Sequence, residues 1–411
     1  MEEKLNSNDN KIYRSVKIRL LPTKEQEILF WKSVGVARWS YNYFLSESYR
    51  VYQEWLADNS KPKHISELEV RRYINNVLKK TTHTWLKDVG SNVMKHGVKD
   101  ANITLQNFFK HGKGYPKFKS KKRSKPSFYV NYESLRRTPN GFHGEKIGVV
   151  KTRESLPKIP KGYKYVNPRI SFDGKFWYLS VSFEVNKLDT KLTDNRFGID
   201  LGVKELAVVS NQDGTMVKKY HNINKTYEVR RLERKLRREQ HKFSRKILVN
   251  TSHCGSNNRP KYKKELDLCK NIQKQKGIIQ RLYRRLLNIR TNYLHQITTE
   301  IVKTKPFQIV LEDLNVSSMM KNRHLSKALM CQRLYEFRRQ IEYKAELYGI
   351  EVLIADRFYP SSKTCHRCGH INRDLKLSDR TYRCSECGNG VDRDINASIN
   401  LANYNIDGII T

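Results

Sequence analysis

The sequence predicts a multidomain α/β protein, and three observations predict it. Its 411 residues exceed what one hydrophobic core usually organises. Residues 11–20 and 128–185 alternate apolar and polar as strands do, while the stretch between them keeps a helical beat. From Phe197 onward strand and helix patterns follow one another, which implies parallel pairing added to an antiparallel meander.

In chain order, residues 1–10 are polar and read as a disordered tail. Residues 11–20 alternate Ile12, Val16, Ile18 and Leu20 with basic residues, so one strand face is buried and the other can meet a phosphate backbone. Pro22 stops the strand, and Thr23 with Gln26 forms a capping-box pattern that starts a helix. Val93, Ala101, Leu105 and Phe108 continue the helical spacing to about residue 110, with breaks near 59–63 and Gly90. The loop 111–125 interleaves glycine, aromatics and lysine. Lys113, Lys117, Lys119, Lys121, Lys122 and Arg123 can neutralise phosphates, while Tyr115 and Phe118 can stack on bases or sugars. Asn140-Gly141 and Asp173-Gly174 then mark hairpin turns in a β region that, with the first strand, could close a small barrel around the helical insertion.

Phe197 to Leu201 reads as a buried strand carrying Asp200, Glu205 to Ser210 as a second strand, and Asp213-Gly214 as the turn into a third. Two long helices follow, marked by Val229, Leu232 and Leu236 and by Leu282, Leu286 and Ile297, with a connecting turn at 250–259. Residues 307–311 form a continuous apolar strand that ends in Glu312-Asp313, the strand end where α/β sheets place ligand-binding groups. A polar loop is expected at 315–324, then a helix through Phe337 and Ile341 that stops at Gly349, and a strand over 350–355. Ile395, Ile399 and Ala402 share the face of a last helix that opens with Asp392 and Asp394. Asp200, Glu312 and a carboxylate at this helix start lie on three separate elements. Acids brought together in this way hold hard divalent cations for phosphodiester hydrolysis. The order of strands, helices and acids is that of an RNase H-like sheet.

The most specific motif is Cys365-His-Arg-Cys368 with Cys384-Ser-Glu-Cys387. Two such pairs match a four-thiolate zinc site, and Gly369 and Gly388 follow where each knuckle must turn tightly. His366 and His370 could substitute, but two intact pairs make four sulfurs the simpler set. With no open coordination position, this zinc is structural. Cys254, Cys269 and Cys331 have no site spacing, and seven cysteines in all argue against a disulfide framework.

Composition narrows the partner. Lys and Arg number 80 against 41 Asp and Glu, a net charge of +39, which calls for a polyanion. The basic residues are spread along the chain among aromatics, which favours nucleic acid over membrane. No apolar run long enough to span a bilayer and no signal-peptide core occurs, so a cytoplasmic protein, nucleoid-associated when it acts, is expected.

Four stretches carry a family resemblance: Phe197-Gly-Ile-Asp200-Leu-Gly, Ile309-Val-Leu-Glu312-Asp-Leu, Phe358-Tyr-Pro-Ser-Ser-Lys-Thr-Cys365-His-Arg-Cys-Gly, and Asp392-Arg-Asp394-Ile-Asn-Ala. They resemble the split RuvC and zinc-finger motifs of TnpB proteins, transposon-encoded RNA-guided nucleases related to compact type V CRISPR effectors. Lys17-Ile-Arg-Leu-Leu-Pro-Thr-Lys-Glu-Gln26 and Gly114-Tyr-Pro-Lys-Phe-Lys119 are similar to that family too. The resemblance implies a wedge β-barrel over 11–22 and 126–190, interrupted by a helical recognition lobe with the basic loop over 23–125. It implies a RuvC-like nuclease domain over 195–360 and 389–411, with the zinc ribbon inserted at 361–388. Asp200, Glu312 and Asp394 become the catalytic acids holding two Mg²⁺ ions. Asp392 competes for the third place, and Asp394 is preferred because it precedes Ile-Asn-Ala as the family's acid does. Expected partners are a guide RNA and a double-stranded DNA target beside a short adjacent motif, with a monomer favoured. A CRISPR effector, a guided repressor without cleavage and a strand-joining transposase are the competing readings.

Overall fold

The computed structural model describes residues 11–112, 114–160, 163–254, 260–376 and 379–404. The expected tail at 1–10 and Lys113 lie outside the described residues. The chain divides into two units, residues 13–185 and residue 186 onward together with Lys11 and Ile12.

In the first unit, strand β1 (Lys11–Leu21) buries Ile18 and Leu20. Pro22 then frees Thr23 to cap helix α1 (Lys24–Ala57). Its hydroxyl accepts from the Gln26 N–H at 3.3 Å and its own N–H donates to the Gln26 side chain at 3.1 Å. Ser66 and Glu69 repeat this box at α2 (Glu67–Tyr73). Helix α3 (Ser91–His111) runs close against α1 at Gly97, where a Cβ would meet the Ser40 hydroxyl at 1.9 Å. Six strands follow: β2 (Ser127–Tyr129), β3 (Arg136–Thr138), β4 (Gly141–Gly144), β5 (Gly148–Thr152), β6 (Val166–Phe172) and β7 (Trp177–Asn186). They pair in the order β2-β6-β7-β1-β5-β4-β3, with no ladder joining β2 to β3 among the described residues. Phe30 packs between Trp177 and Phe128, with ring centroids 5.1 and 5.7 Å away, and ties α1 to the sheet.

The second unit opens with the meander β8 (Thr193–Leu201), β9 (Glu205–Ser210) and β10 (Val217–His221), whose second turn uses Gly214 at φ +72°. Helices α4 (Tyr227–Asn250) and α5 (Lys270–Lys303) pack through Val229, Leu232, Leu236, Leu282 and Leu286. Their connection, expected as a turn at 250–259, carries two antiparallel strands, β11 (Thr251–Cys254) and β12 (Pro260–Tyr262), and residues 255–259 lie outside the described residues. Asn250 holds its returning arm, since its amide donates to Lys264 O at 2.7 Å and accepts from Lys264 N at 3.3 Å. After β13 (Pro306–Glu312), the expected polar loop at 315–324 holds α6 (Val316–Met319) and the start of α7 (Arg323–Gln332). Asn315 and Asn322 cap these helices, a role that their polar setting disguised. Helix α8 (Leu334–Tyr348) ends at Gly349 with φ +71°, and β14 (Glu351–Ala355), β15 (Thr381–Arg383), β16 (Gly390–Asp392) and α9 (Arg393–Ala402) complete the chain.

The sheet order is β10-β9-β8-β13-β14, and β13 lies parallel to both β8 and β14. Strand alternation sorts its faces. Phe197, Ile199, Leu201, Ile309 and Leu311 join the core with residues of α5 and α8. Gly198 and Val310 point the other way, toward α9. The approach of α9 is very close. A Cβ on Gly198 would lie 2.0 Å from Ser398 O and 2.2 Å from Ala402 N, both backbone atoms that cannot swing aside. Gly198→Ala should therefore cost about 3 kcal/mol by overpacking and lift α9 from the sheet. Chemical denaturation of this variant beside wild type checks it.

Candidate active site and metal centre

Strand register places the first two acids. Val310 faces Gly198 and Leu311 faces Ile199 across the parallel pair, so Glu312 and Asp200 stand side by side at the carboxyl ends of their strands. Both point to the α9 face. Asp394 arrives in the first turn of α9, and its charge acts on both. Asp200 and Glu312 retain some exposed surface yet are hemmed in by protein. Burial first, then the charges of Glu312 and Asp394, push the Asp200 carboxyl well above its ordinary range, and Arg393 offsets part of this. Burial raises Glu312 as well, against hydrogen bonds with Ser361 and Asp200 and in step with Asp394. The Ser361 hydroxyl donates to Glu312 Oε1 at 2.8 Å.

Asp392 and Asp394 have different occupations. Asp392 is the N-cap of α9, accepting from Asp394 N at 3.0 Å and Ile395 N at 3.3 Å, and Lys219 of β10 lies 2.9 Å from its other oxygen. Burial opposes its ionisation, but Lys219 and these N–H groups hold it below the usual carboxylate range. Asp394 is 3.4 Å from Arg393 and faces the other two acids. Asp313, next to Glu312, pairs instead with Arg338 and Arg357. Three crowded carboxylates with so little positive charge suit divalent cations, whose charge would remove their mutual repulsion.

Beyond the sheet, Cys365, Cys368, Cys384 and Cys387 come together. Their sulfurs all lie within 4.8 Å of one another, the only group of three or more candidate ligands this close among the described residues. The two knuckles repeat one design. Gly369 N donates to Cys365 O at 2.9 Å and Gly388 N to Cys384 O at 3.2 Å, and both glycines have positive φ. This donor set can hold a metal ion such as zinc. Strands β15 and β16 pair beside it, and β16 runs straight into α9.

In the basic loop, Lys117, Lys121 and Arg123 are exposed, as are Lys122 and, at 64 %, Phe118. Tyr115 is half-exposed, with its ring edge on Phe108 at 5.3 Å. Lys119 differs. Asn42 grips its backbone from both sides, at 2.9 and 2.8 Å, and sets its ammonium 3.7 Å over the Tyr41 ring, where burial lowers its pKa. Among the described residues, no helix is long and apolar enough to cross a membrane.

Comparison with known proteins agrees along the chain. Residues 180–323 match a family described as a probable transposase (OrfB_IS605), and residues 335–401 match the Cas12f1-like TNB domain. A protein of Streptomyces pristinaespiralis named as an RNA-guided DNA endonuclease is 27% identical over 95% of this chain and 89% of its own. InsQ of Escherichia coli K12, similarly named, is 28% identical over 94% and 91%. The chain is similar along its length to proteins of the TnpB family. Cas12f1, solved in complex with sgRNA and target DNA, has the same fold, with a TM-score of 0.55 at 15% identity over 96% of this chain and 99% of that one. Residues 10–55 match a helix-turn-helix description. Here the described part of that range forms β1 and most of the single unbroken helix α1. Sequence reasoning gave no role to Ser361, Lys219 or Arg393. The serines before Cys365 and a basic residue between two acids were the available signals.

Proposed function

We propose that the chain is an RNA-guided DNA endonuclease that carries a guide transcribed from its transposon, pairs it with target DNA beside a short adjacent motif, and cleaves that DNA. The convergence of Asp200, Glu312 and Asp394 on one end of the second sheet carries this reading. That sheet is read as RuvC-type, RNase H-like, over 195–360 and 389–411, with a zinc ribbon at 361–388. The first unit is read as a wedge over 11–22 and 126–190 and a recognition lobe over 23–125. Two magnesium ions, held by the three acids, would supply Lewis-acid activation of water and neutralise the leaving oxygen. The residues' own part is to stay deprotonated and fixed. Parallel register holds Asp200 beside Glu312, Ser361 orients Glu312, and Asp392, engaged by Lys219 and the helix N–H groups, leaves Asp394 as the third acid. Zinc in the four thiolates would fix the ribbon without touching substrate. A transposon guide is favoured because the endonuclease relatives align along nearly their whole length, whereas a Cas12f1 of Sulfoacidibacillus thermotolerans aligns over 51% of its own. The same reading makes the protein cytoplasmic and a monomer on its guide.

The test is to purify the chain with its bound RNA, sequence that RNA, and offer matched DNA with Mg²⁺. Cutting that follows the guide sequence is expected. Guided binding without cutting would move the reading to a repressor, and no bound RNA would reopen a transposase.

Phosphate contacts from the basic loop give a second expectation. Replacing Lys117, Lys121 and Arg123 one at a time with alanine should each reduce the slope of log affinity against log salt by about 1. RNA-binding titrations from low to high salt check it, and unchanged slopes would remove the loop from the interface.

A further inference from the structure

The four-cysteine centre and the three acids are joined by a buried hydrogen-bond lattice that neither motif explains. It is built on Asn396 and Asn400, one turn apart on α9 and both buried. The Asn400 amide donates to Ser361 O and to Thr364 O, each at 2.7 Å. The Asn396 amide also donates to Thr364 O, at 2.6 Å, and its carbonyl accepts from His366 N at 3.1 Å and lies 2.9 Å from His366 Nδ1. The segment 361–366 is thus sewn to the helix that carries Asp394. At one end of this segment the Ser361 hydroxyl holds Glu312, and at the other Cys365 enters the metal centre. Thr364 has no exposed surface, so water cannot replace these bonds cheaply.

We infer that Asn396 and Asn400 are positioning residues that transmit the fixed geometry of the four-thiolate centre to Glu312 and Asp394. The inference rests on the nuclease reading and extends it. The ribbon is then a brace for the acids as well as a folded appendage. A metal-bound knuckle locks Cys365, Cys365 locks 361–364, and that segment fixes Glu312 through Ser361 while the asparagines hold α9 in register. Outer hydrogen bonds of this kind usually alter metal affinity or activity by about 10–100-fold.

The experiment uses the full chain with its RNA and titrates Mn²⁺ by electron paramagnetic resonance, beside zinc content, guided DNA affinity and cleavage rate. Asn400→Ala should keep its zinc and its DNA affinity, weaken Mn²⁺ binding about 10-fold or more, and lower kcat with KM little changed. Ser361→Ala, which leaves the helix intact, should show the same pattern more weakly, and Ser361→Thr should restore it. Wild-type Mn²⁺ binding and kcat in both alanine variants would overturn the brace alone. Zinc loss in Asn400→Ala with an unaffected Ser361→Ala would overturn it too, as that shows a folding role only. Mn²⁺ binding that is unchanged in Asp200→Asn would overturn the nuclease reading, and the brace with it.

Discussion

Asp200→Asn is expected to abolish guided cleavage, by well over 100-fold, and at the same time to raise the stability of the protein. The two effects share a cause. The Asp200 carboxyl is raised by burial and by Glu312 and Asp394 beside it, so in the absence of a cation its ionised form is a strain on the folded state. A group whose folded pKa lies above its unfolded value binds more protons when folded, so its contribution falls as pH rises through the window between the two. That window starts near the ordinary value of 3.8 and extends upward. The asparagine should therefore gain about 1–2 kcal/mol at neutral pH and little near pH 4. Divalent cations should reverse the ranking, because they bind the folded wild type and stabilise it by mass action, while the variant has lost a ligand. Thermal unfolding at several pH values, with and without Mg²⁺, reads every part of this. A variant that is inactive but destabilised at neutral pH would show Asp200 to be structural.

The second large effect concerns the cysteine centre. Cys384→Ser should remove bound zinc and cleavage together, although the substitution leaves all three acids in place. Structural zinc supplies roughly 10–16 kcal/mol of apparent folding energy to small isolated sites, so even a fraction of that exceeds what an ordinary core substitution costs. The buried Cys331, outside the cluster, provides the control. Cys331→Ser should keep its zinc and its activity. Metal analysis with cleavage assays decides it, and retained zinc with full cleavage in Cys384→Ser would refute a four-sulfur site.

Much of the second unit was legible because its signals are local. The apolar runs at Phe197 and Ile309 delimit real strands, and the two Cys pairs converge as their spacing implied. Composition alone did not separate Asp392 from Asp394, because both sit at the start of the same helix. Their surroundings differ by tertiary contacts, the helix N–H groups and Lys219 both engaging Asp392. Asn396 and Asn400 were hidden for a related reason. On an amphipathic helix, asparagines spaced by four read as polar-face residues, and only the arrival of 361–366 turns that face into an interior. The paired strands β11 and β12 and the helices α6 and α7 escaped because single asparagine side chains, rather than apolar periodicity, define them. Lys119 was grouped with its exposed neighbours because nothing in a run of lysines shows which one folds back on a tyrosine.

The pairing of β8 with β13 across the whole α4–α5 arm has a consequence for synthesis. Asp200, Glu312 and Asp394 leave the ribosome in that order, and the first strand must wait unpaired on one edge until the arm and β13 have followed it. The helix that seats against Gly198 comes later still. A nascent chain therefore completes the proposed catalytic site last, long after its basic loop has been made.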